Sequence, residues 1–137
     1  MIKLNKNVQL TTELLKKLID SHKQETLPRL QKLEKYYLAK NEILSRQMAD
    51  PAKPNNKIAN PYASYITDTL TGYFMGEPIT YSSVDEAALT DLNMIFEYND
   101  EADENIELAK NASIYGVAYE MLYMSEEEVR FKSLDPK

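Results

Sequence analysis

The sequence contains no cysteine, and it has only three glycines and one histidine among its 137 residues. Without cysteine the chain can form no disulfide, no thiol nucleophile and no cysteine-based zinc site. It also lacks the apolar run of a secretory signal peptide and any apolar stretch of about 18 residues that could span a membrane. We therefore expect a soluble intracellular protein. The length favours one structural domain with a modest core.

The residues that remain give little support to an enzyme or a cofactor site. The lone His22 has no second histidine with which to form a metal pair or a catalytic triad, and Ser113 lies outside a G-x-S-x-G motif. The glycines of "GYFMGEPITY" lack the Gly-Lys-Ser/Thr that completes a phosphate loop. In the acidic run "NDEADENIE", Glu104 replaces the glycine of a calcium loop and Lys110 replaces its last ligand. We expect no enzyme, no cofactor and no metal site.

The charges are strongly separated along the chain, although the total net charge is only -6. Residues 1–60 contain 12 Lys and Arg against 6 Asp and Glu, a net charge of +6. Residues 61–137 contain 4 basic and 16 acidic residues, a net charge of -12. Opposite blocks can attract one another within a subunit or between copies, and a basic block can also contact nucleic acid.

The basic half is predicted to form two helices followed by a loop. "TTELLKKLIDSHKQE" has Thr12 as its expected N-cap, and a second helix, or a bent continuation, restarts at Pro28. Helical spacing predicts two buried stripes. Their members are Leu14, Leu15, Leu18 and Ile19 in the first helix, and Leu30, Leu33, Tyr37 and Leu38 in the second. The polar, proline-rich run that follows predicts an exposed loop at 46–56. We assign 1–45 to the basic helices, 46–60 to the loop and 61–137 to an acidic α+β part.

The central helix has the clearest helical pattern in the sequence, with apolar residues recurring at three and four positions. Its predicted buried stripe comprises Tyr62, Tyr65, Ile66, Thr69, Leu70, Tyr73 and Phe74. Gly76 is expected to end this helix as a left-handed cap, with Pro78 preventing its continuation. Gly72 is expected to allow another element to pack closely.

The rest of the acidic half predicts a short strand, two helices and a hairpin. "EPITYSS" is typical of the strand, and the next helix should be capped near Ser83 with Leu89, Leu92 and Phe96 facing inward. The acids of "DEADENIE" suit the N-terminus of a second helix, which should end at Gly116. Two β-biased runs at 117–124 and 129–133 predict the hairpin. The predicted class is α+β and mainly helical.

The ten tyrosines and the charge blocks suggest protein contacts, because tyrosine is enriched at protein interfaces. The candidate interface residues are Lys16, Lys17, Lys23, Arg29, Lys32, Lys35, Tyr36, Tyr37, Asp100, Glu101, Asp103 and Glu104.

Three segments, taken in order, resemble the N-terminal part of portal proteins of tailed bacteriophages of the siphophage type. They are "YYLAKNEILSR", "KPNNKIANPYASYITDTLTGYFMGEPITY" after a proline-rich loop, and "NDEADENIELAKNASIYGVAYEMLYMSEEEVRFKSLDP". One departure is Pro61, which stands where relatives often have a second asparagine. A family member would also continue beyond "LDP", so we expect the chain to be an N-terminal fragment of a larger portal subunit.

The resemblance implies a structural role in a dodecameric ring at one capsid vertex, through which double-stranded DNA is packaged and ejected. The chain would form part of the outward-projecting wing. The implied partners are further copies of the subunit, the terminase, capsid or scaffold proteins and head-completion proteins, with no membrane. The implied location is the virion, and the host cytoplasm during assembly.

Two other functions remain open from the residues alone. The chain could be a free-standing interaction adaptor whose basic helices bind an acidic partner. Less favoured, because the whole chain is acidic, is a nucleic-acid-binding helical module that uses the basic half and would bind duplex DNA in a salt-sensitive way.

Overall fold

The structure is a computed structural model that describes residues 8–50 and 52–137. Five α-helices precede two strands, which is the mainly helical α+β class that the sequence predicted. The helices are α1 (Thr12–Ser21), α2 (Leu27–Tyr37), α3 (Tyr62–Phe74), α4 (Glu86–Tyr98) and α5 (Glu101–Tyr115), and the strands are β1 (Tyr119–Ser125) and β2 (Glu128–Leu134). Helices α2, α3 and α5 pack against one another, and β2 and α4 pack on α5.

The two N-terminal helices are joined by a π-helical segment, His22–Thr26, so the chain stays helical from α1 into α2. Pro28 has no backbone N–H, which interrupts the ordinary hydrogen-bond ladder of an α-helix at this point. Of the two predicted alternatives, a second helix or a bent continuation, the structure shows a continuation. The predicted cap is off by one residue, because Thr11 and not Thr12 precedes α1, and its hydroxyl accepts a hydrogen bond from the Leu14 N–H at 3.3 Å.

The core is small and centres on α2 and α5. Leu30 is fully buried and Tyr115 is 5% exposed. Leu33 and Tyr37 are partly buried, as their spacing predicted. Three other residues that were predicted to be buried are exposed, namely Leu15, Ile19 and Leu38. The reason is that α1 contacts little of the described chain beyond the π-helical segment that continues it, while Leu38 lies beyond the end of α2.

Helix α3 forms as predicted, but the face that it buries is not the predicted one. Its buried residues are Thr67 and Thr71, whereas Tyr73 is 93% exposed and Phe74 is 78% exposed. Small side chains let helices approach closely, and the Ser113 hydroxyl lies 3.4 Å from the Thr67 hydroxyl at the contact with α5. The apolar stripe therefore lies beside the contact with α5 and remains exposed.

The end of α3 also differs from the prediction. Gly76 does not adopt a positive φ, so it is not a left-handed cap; Met75 occupies the C-cap position. A Cβ at Gly76 would lie 2.4 Å from the Gly72 carbonyl oxygen, whereas a Cβ at Gly72 would meet nothing within 4 Å. Close approach therefore requires a glycine at position 76, and no other element packs on position 72 in the described chain.

The segment between α3 and α4 is irregular, so the strand predicted in "EPITYSS" is not formed in the described chain. A strand needs a partner for its backbone groups, and here Tyr81 meets α4 and α5 through its side chain instead. The Tyr81 ring lies 4.7 Å from the Phe96 ring, and its hydroxyl donates to Glu101 at 2.6 Å. Helix α4 is capped by Asp85 and not by Ser83, and the Asp85 carboxylate accepts the Ala88 N–H at 3.1 Å.

Helix α5 begins with three acids in its first turn, which suits the positive end of the helix dipole. It ends at Tyr115, and Gly116 follows in the left-handed conformation with φ 72°.

The prediction that three side chains of α4 face inward is confirmed only in part. Leu89 and Phe96 are half-buried, whereas Leu92 is 38% exposed.

The C-terminal hairpin forms as predicted, with its strands shifted by one or two residues. Tyr119 pairs with Leu134 and Ser125 pairs with Glu128 in an antiparallel register. The two connecting residues, Glu126 and Glu127, both have positive φ, which is the backbone of a type I′ turn and is unfavourable for glutamate. Strand β2 packs on α5 and thereby joins the hairpin to the helices.

Candidate functional site

The chain exposes much more surface than its size requires. Its accessible surface is 11117 Å², whereas a compact monomer of the same mass is expected to expose about 7,300 Å². Much of the surplus is apolar, because many large hydrophobic side chains are exposed on α1, α3 and β1. Surfaces of this extent and composition are typical of interaction sites.

The largest candidate site is the α3 apolar face, which we define as Tyr62, Tyr65, Ile66, Leu70, Tyr73 and Phe74. All six side chains are more than half exposed. They align along the outer side of one helix because the spacing of three and four residues places them on one stripe. The contact that Thr67 and Thr71 make on the neighbouring face of the helix fixes this orientation.

A groove extends the α3 apolar face towards α5. It has a volume of about 350 Å³ and is lined by Leu70, Thr71, Tyr73, Phe74, Ala109 and Ser113. The groove and the stripe together form a continuous apolar surface that could receive an apolar helix or strand.

The predicted basic interface residues lie on three consecutive helical segments and point into solvent. Lys16 and Lys17 are on α1, Lys23 is in the π-helical segment, and Arg29, Lys32 and Lys35 are on α2. Lys32 lies 3.5 Å from Glu42 in an exposed ion pair. The other five form no ion pair with any residue of 8–50 or 52–137.

The four predicted acidic residues divide into two pairs with different environments. Glu101 and Glu104 are partly buried and hold neighbouring segments: Glu101 accepts from Tyr81, and Glu104 accepts the Ser133 N–H of β2 at 2.5 Å. Asp100 and Asp103 are exposed at the start of α5. In the described part of the chain, therefore, the acids are not paired with the basic helices.

The two adjacent tyrosines of α2 also differ. Tyr36 is exposed, whereas Tyr37 is partly buried and donates to the Asp68 carboxylate at 2.9 Å. Burial raises the pKa of Tyr37, and the bond to Asp68 acts in the same direction. The Lys110 ammonium lies 5.8 Å from the centre of the Tyr37 ring, and its proximity to Tyr37 raises the pKa of Lys110. Tyr37 therefore ties α2 to α3 and α5 and is not part of the exposed surface.

The C-terminal residues are held against the helices. Lys137 forms an ion pair with Glu34 of α2, and its ammonium lies 5.9 Å from the centre of the Tyr115 ring. The bond to Glu34 raises the pKa of Lys137. This pair joins an acid of the basic half to a base of the acidic half, so it does not connect the basic side chains of residues 1–60 with the acids of residues 61–137.

The described residues contain no cluster of three or more histidine, aspartate or glutamate side chains that could hold a metal ion. His22 lies in a groove between the π-helical segment and the start of β1, beside Glu25 and Arg29. Among the described helices none is both long and apolar enough to cross a membrane.

Sequence reasoning missed the α3 apolar face as a site because it treated the stripe as core. The signal that could have identified it is a second face of the same helix. Ala63, Thr67 and Thr71 recur at intervals of four, and such small side chains permit close helix packing. A helix that has both an apolar stripe and a row of small side chains has two candidate interfaces, and here the small side chains meet the core.

Two comparisons with known proteins agree. The family model described as "Phage portal protein, SPP1 Gp6-like" matches residues 16–137. The portal protein of Bacillus phage SPP1 is 30% identical over 127 residues, which cover 85% of this chain and 24% of that protein. The chain therefore spans about a quarter of the length of this relative.

Proposed function

Because the chain belongs to the phage portal protein family of the SPP1 Gp6 type, we propose that it is the N-terminal wing segment of a portal subunit. Copies of the subunit form a dodecameric ring at one capsid vertex, and double-stranded DNA passes through that ring during packaging and ejection. The partners are the terminase, capsid or scaffold proteins and head-completion proteins. The ring assembles in the host cytoplasm and remains in the virion.

The family match carries this proposal. It begins within α1 and continues to the last residue, so it includes the basic helices, α3, the acidic helices and the hairpin. Portal proteins of this family are structural components. The surplus apolar surface supports the proposal, because a segment of a larger assembly exposes surfaces that neighbouring parts cover in the complete particle.

The charge separation fits a closed ring. In a ring every subunit presents one flank to the opposite flank of its neighbour, so a basic flank can meet an acidic one. Within the described residues the basic side chains of α1 and the exposed acids Asp100 and Asp103 have no ion-pair partners, and both groups are accessible. The acidic part, 61–137, and the basic helices, 1–45, would then supply opposite flanks of the wing.

A genetic experiment tests the role in DNA packaging. A nonsense codon at Tyr62 in the phage genome should abolish DNA-filled heads, and full-length protein supplied in trans should restore them. A silent codon change at the same position is the control. Normal numbers of DNA-filled heads without complementation would contradict the proposed function.

Charge reversal in the full-length protein tests the flank contacts. Exchanging Lys16, Lys17 and Lys23 for glutamate should reduce ring assembly at low salt, and the difference from the parent should shrink as salt rises. The control carries the same charge change at three other exposed lysines of the basic half, Lys40, Lys53 and Lys57. Equal assembly of the two triple variants at low salt would remove the flank contacts from the proposal.

A further inference from the structure

The chemistry of the α3 apolar face indicates the kind of partner that can cover it. Residues 58–81 contain no lysine or arginine, and Asp68 and Glu77 are their only charged residues. A surface without cations cannot neutralise phosphates, so it does not suit DNA or RNA. Its tyrosine, phenylalanine, leucine and isoleucine side chains suit an apolar protein surface.

The area of this face matches one side of a protein interface. An aromatic side chain buries about 150–250 Å² when it is fully covered. At their observed exposures of 68%, 68%, 93% and 78%, Tyr62, Tyr65, Tyr73 and Phe74 together offer about 460–770 Å². A standard interface buries about 800 Å² on each partner, and Ile66, Leu70 and the groove beside α5 add to the aromatic area.

A second apolar face in the same chain also lacks a partner. Helix α1 carries Leu14, Leu15, Leu18 and Ile19 on one stripe, and Leu15 and Ile19 are 45% and 50% exposed. Among the described residues its main contacts are with the π-helical segment that continues the same helix, so no other element packs extensively on α1. The Thr11 cap stabilises α1 as a helix, so the stripe is already formed for docking.

These two faces differ, and a ring requires contacts between different faces. A contact of one surface with its own copy closes a dimer, whereas a contact between two different surfaces can continue from subunit to subunit until the ring closes. An amphipathic helix that lays its apolar stripe into an apolar groove is a common form of recognition.

We propose that the apolar stripe of α1 in one copy of the chain docks on the α3 apolar face and the adjoining α5 groove of a second copy. The occupant of the α3 apolar face is thus the N-terminal helix of the neighbouring subunit. This inference rests on the proposed assembly of copies into a ring, and it deepens that proposal by assigning the two surfaces that meet.

Disulfide trapping tests the contact, because the chain has no cysteine of its own. Chains carrying Ile19→Cys are mixed with chains carrying Leu70→Cys and oxidised under mild conditions. The control mixture pairs Ile19→Cys with Met94→Cys on α4, since Met94 and Leu70 are both 57% exposed. Disulfides form only between Cα atoms within about 7 Å, so we expect at least about ten-fold more cross-linked heterodimer for the 19–70 pair. Circular dichroism verifies that each variant remains folded.

The possible outcomes separate the contact from the ring. Enrichment of the 19–70 heterodimer supports the contact. Predominant 70–70 homodimer would show that the α3 apolar face meets its own copy, and it would overturn the inference, as would a 19–70 yield equal to the control. The measurement uses the 137-residue chain and needs no closed ring. Negative trapping together with DNA-filled heads from the parent phage would therefore overturn this contact and leave the portal function in place.

Discussion

Alanine substitutions at Gly116 and Gly72 should change the stability of the chain in opposite directions. The two positions are alike in one respect, because a Cβ atom at either would meet nothing within 4 Å. They differ in backbone conformation: Gly116 has φ 72° at the end of α5, whereas Gly72 lies within the last turn of α3 without a positive φ. The comparison therefore isolates the backbone from side-chain packing.

The expected magnitudes follow from these conformations. An alanine forced into the left-handed region should destabilise the chain by about 1 kcal/mol or more. Glycine inside a helix is less stable than alanine by about 0.5–1 kcal/mol, so Gly72→Ala should be stabilising by that amount. Gly116→Asn is the matched control, because asparagine tolerates the left-handed region better than alanine.

Urea denaturation, monitored by the circular dichroism of the helices, measures the free energy of unfolding of the three variants and of the parent. For a chain of this size, 1 kcal/mol corresponds to a shift of about 3–5 °C in a thermal melt. The reasoning would be refuted if Gly116→Ala equalled or exceeded the stability of the parent. It would also be refuted if Gly72→Ala destabilised the chain by a similar amount.

Three further substitutions test other features of the structure. The Thr71 hydroxyl is buried without a hydrogen-bond partner, so Thr71→Val should leave stability unchanged or raise it by up to about 1 kcal/mol in urea denaturation. Replacing Glu126 and Glu127 by Asn-Gly, which suits a type I′ turn, should raise stability by about 1–2 kcal/mol in thermal melts. The raised pKa of Tyr37 means that the folded state holds this proton more tightly than the unfolded state. Its contribution is present below pH 10 and is lost as the pH rises further, so Tyr37→Phe should lose less stability than the parent as the pH is raised above 10.

The sequence predicted where the helices and the hairpin lie because their signals are local. Helical spacing located α3 and α4, acidic residues marked the start of α5, and Gly116 marked its end. Errors at the caps were small, as at Asp85 in place of Ser83, since several neighbouring polar residues can serve as a cap.

The orientation of α3 could not be predicted from its own spacing. The helical period shows that one face is apolar, but which face meets the core depends on the partner helices. Here α5 presents Ala109 and Ser113 to the face of α3 that carries Thr67 and Thr71. The strand predicted in "EPITYSS" failed for a related reason, because no second strand lies beside it in the described chain. Both errors concern long-range contacts.

Of the predicted site residues, the sequence identified the basic side chains as exposed but could not separate the roles of neighbouring residues. Tyr36 is exposed while Tyr37 is bound to Asp68, and Asp103 faces solvent while Glu104 holds β2. These differences arise from the angle at which each helix packs, which a one-dimensional pattern does not contain.

Electron microscopy of the full-length gene product that contains this chain tests the central claim most directly. A small protein label fused to its N-terminus marks the position of the segment that we propose as the wing. We predict closed rings with an open central channel, and the label at the outer periphery. Monomers or open filaments in place of closed rings, or closed rings with the label inside the channel, would contradict the assignment of this chain to the wing of a portal ring.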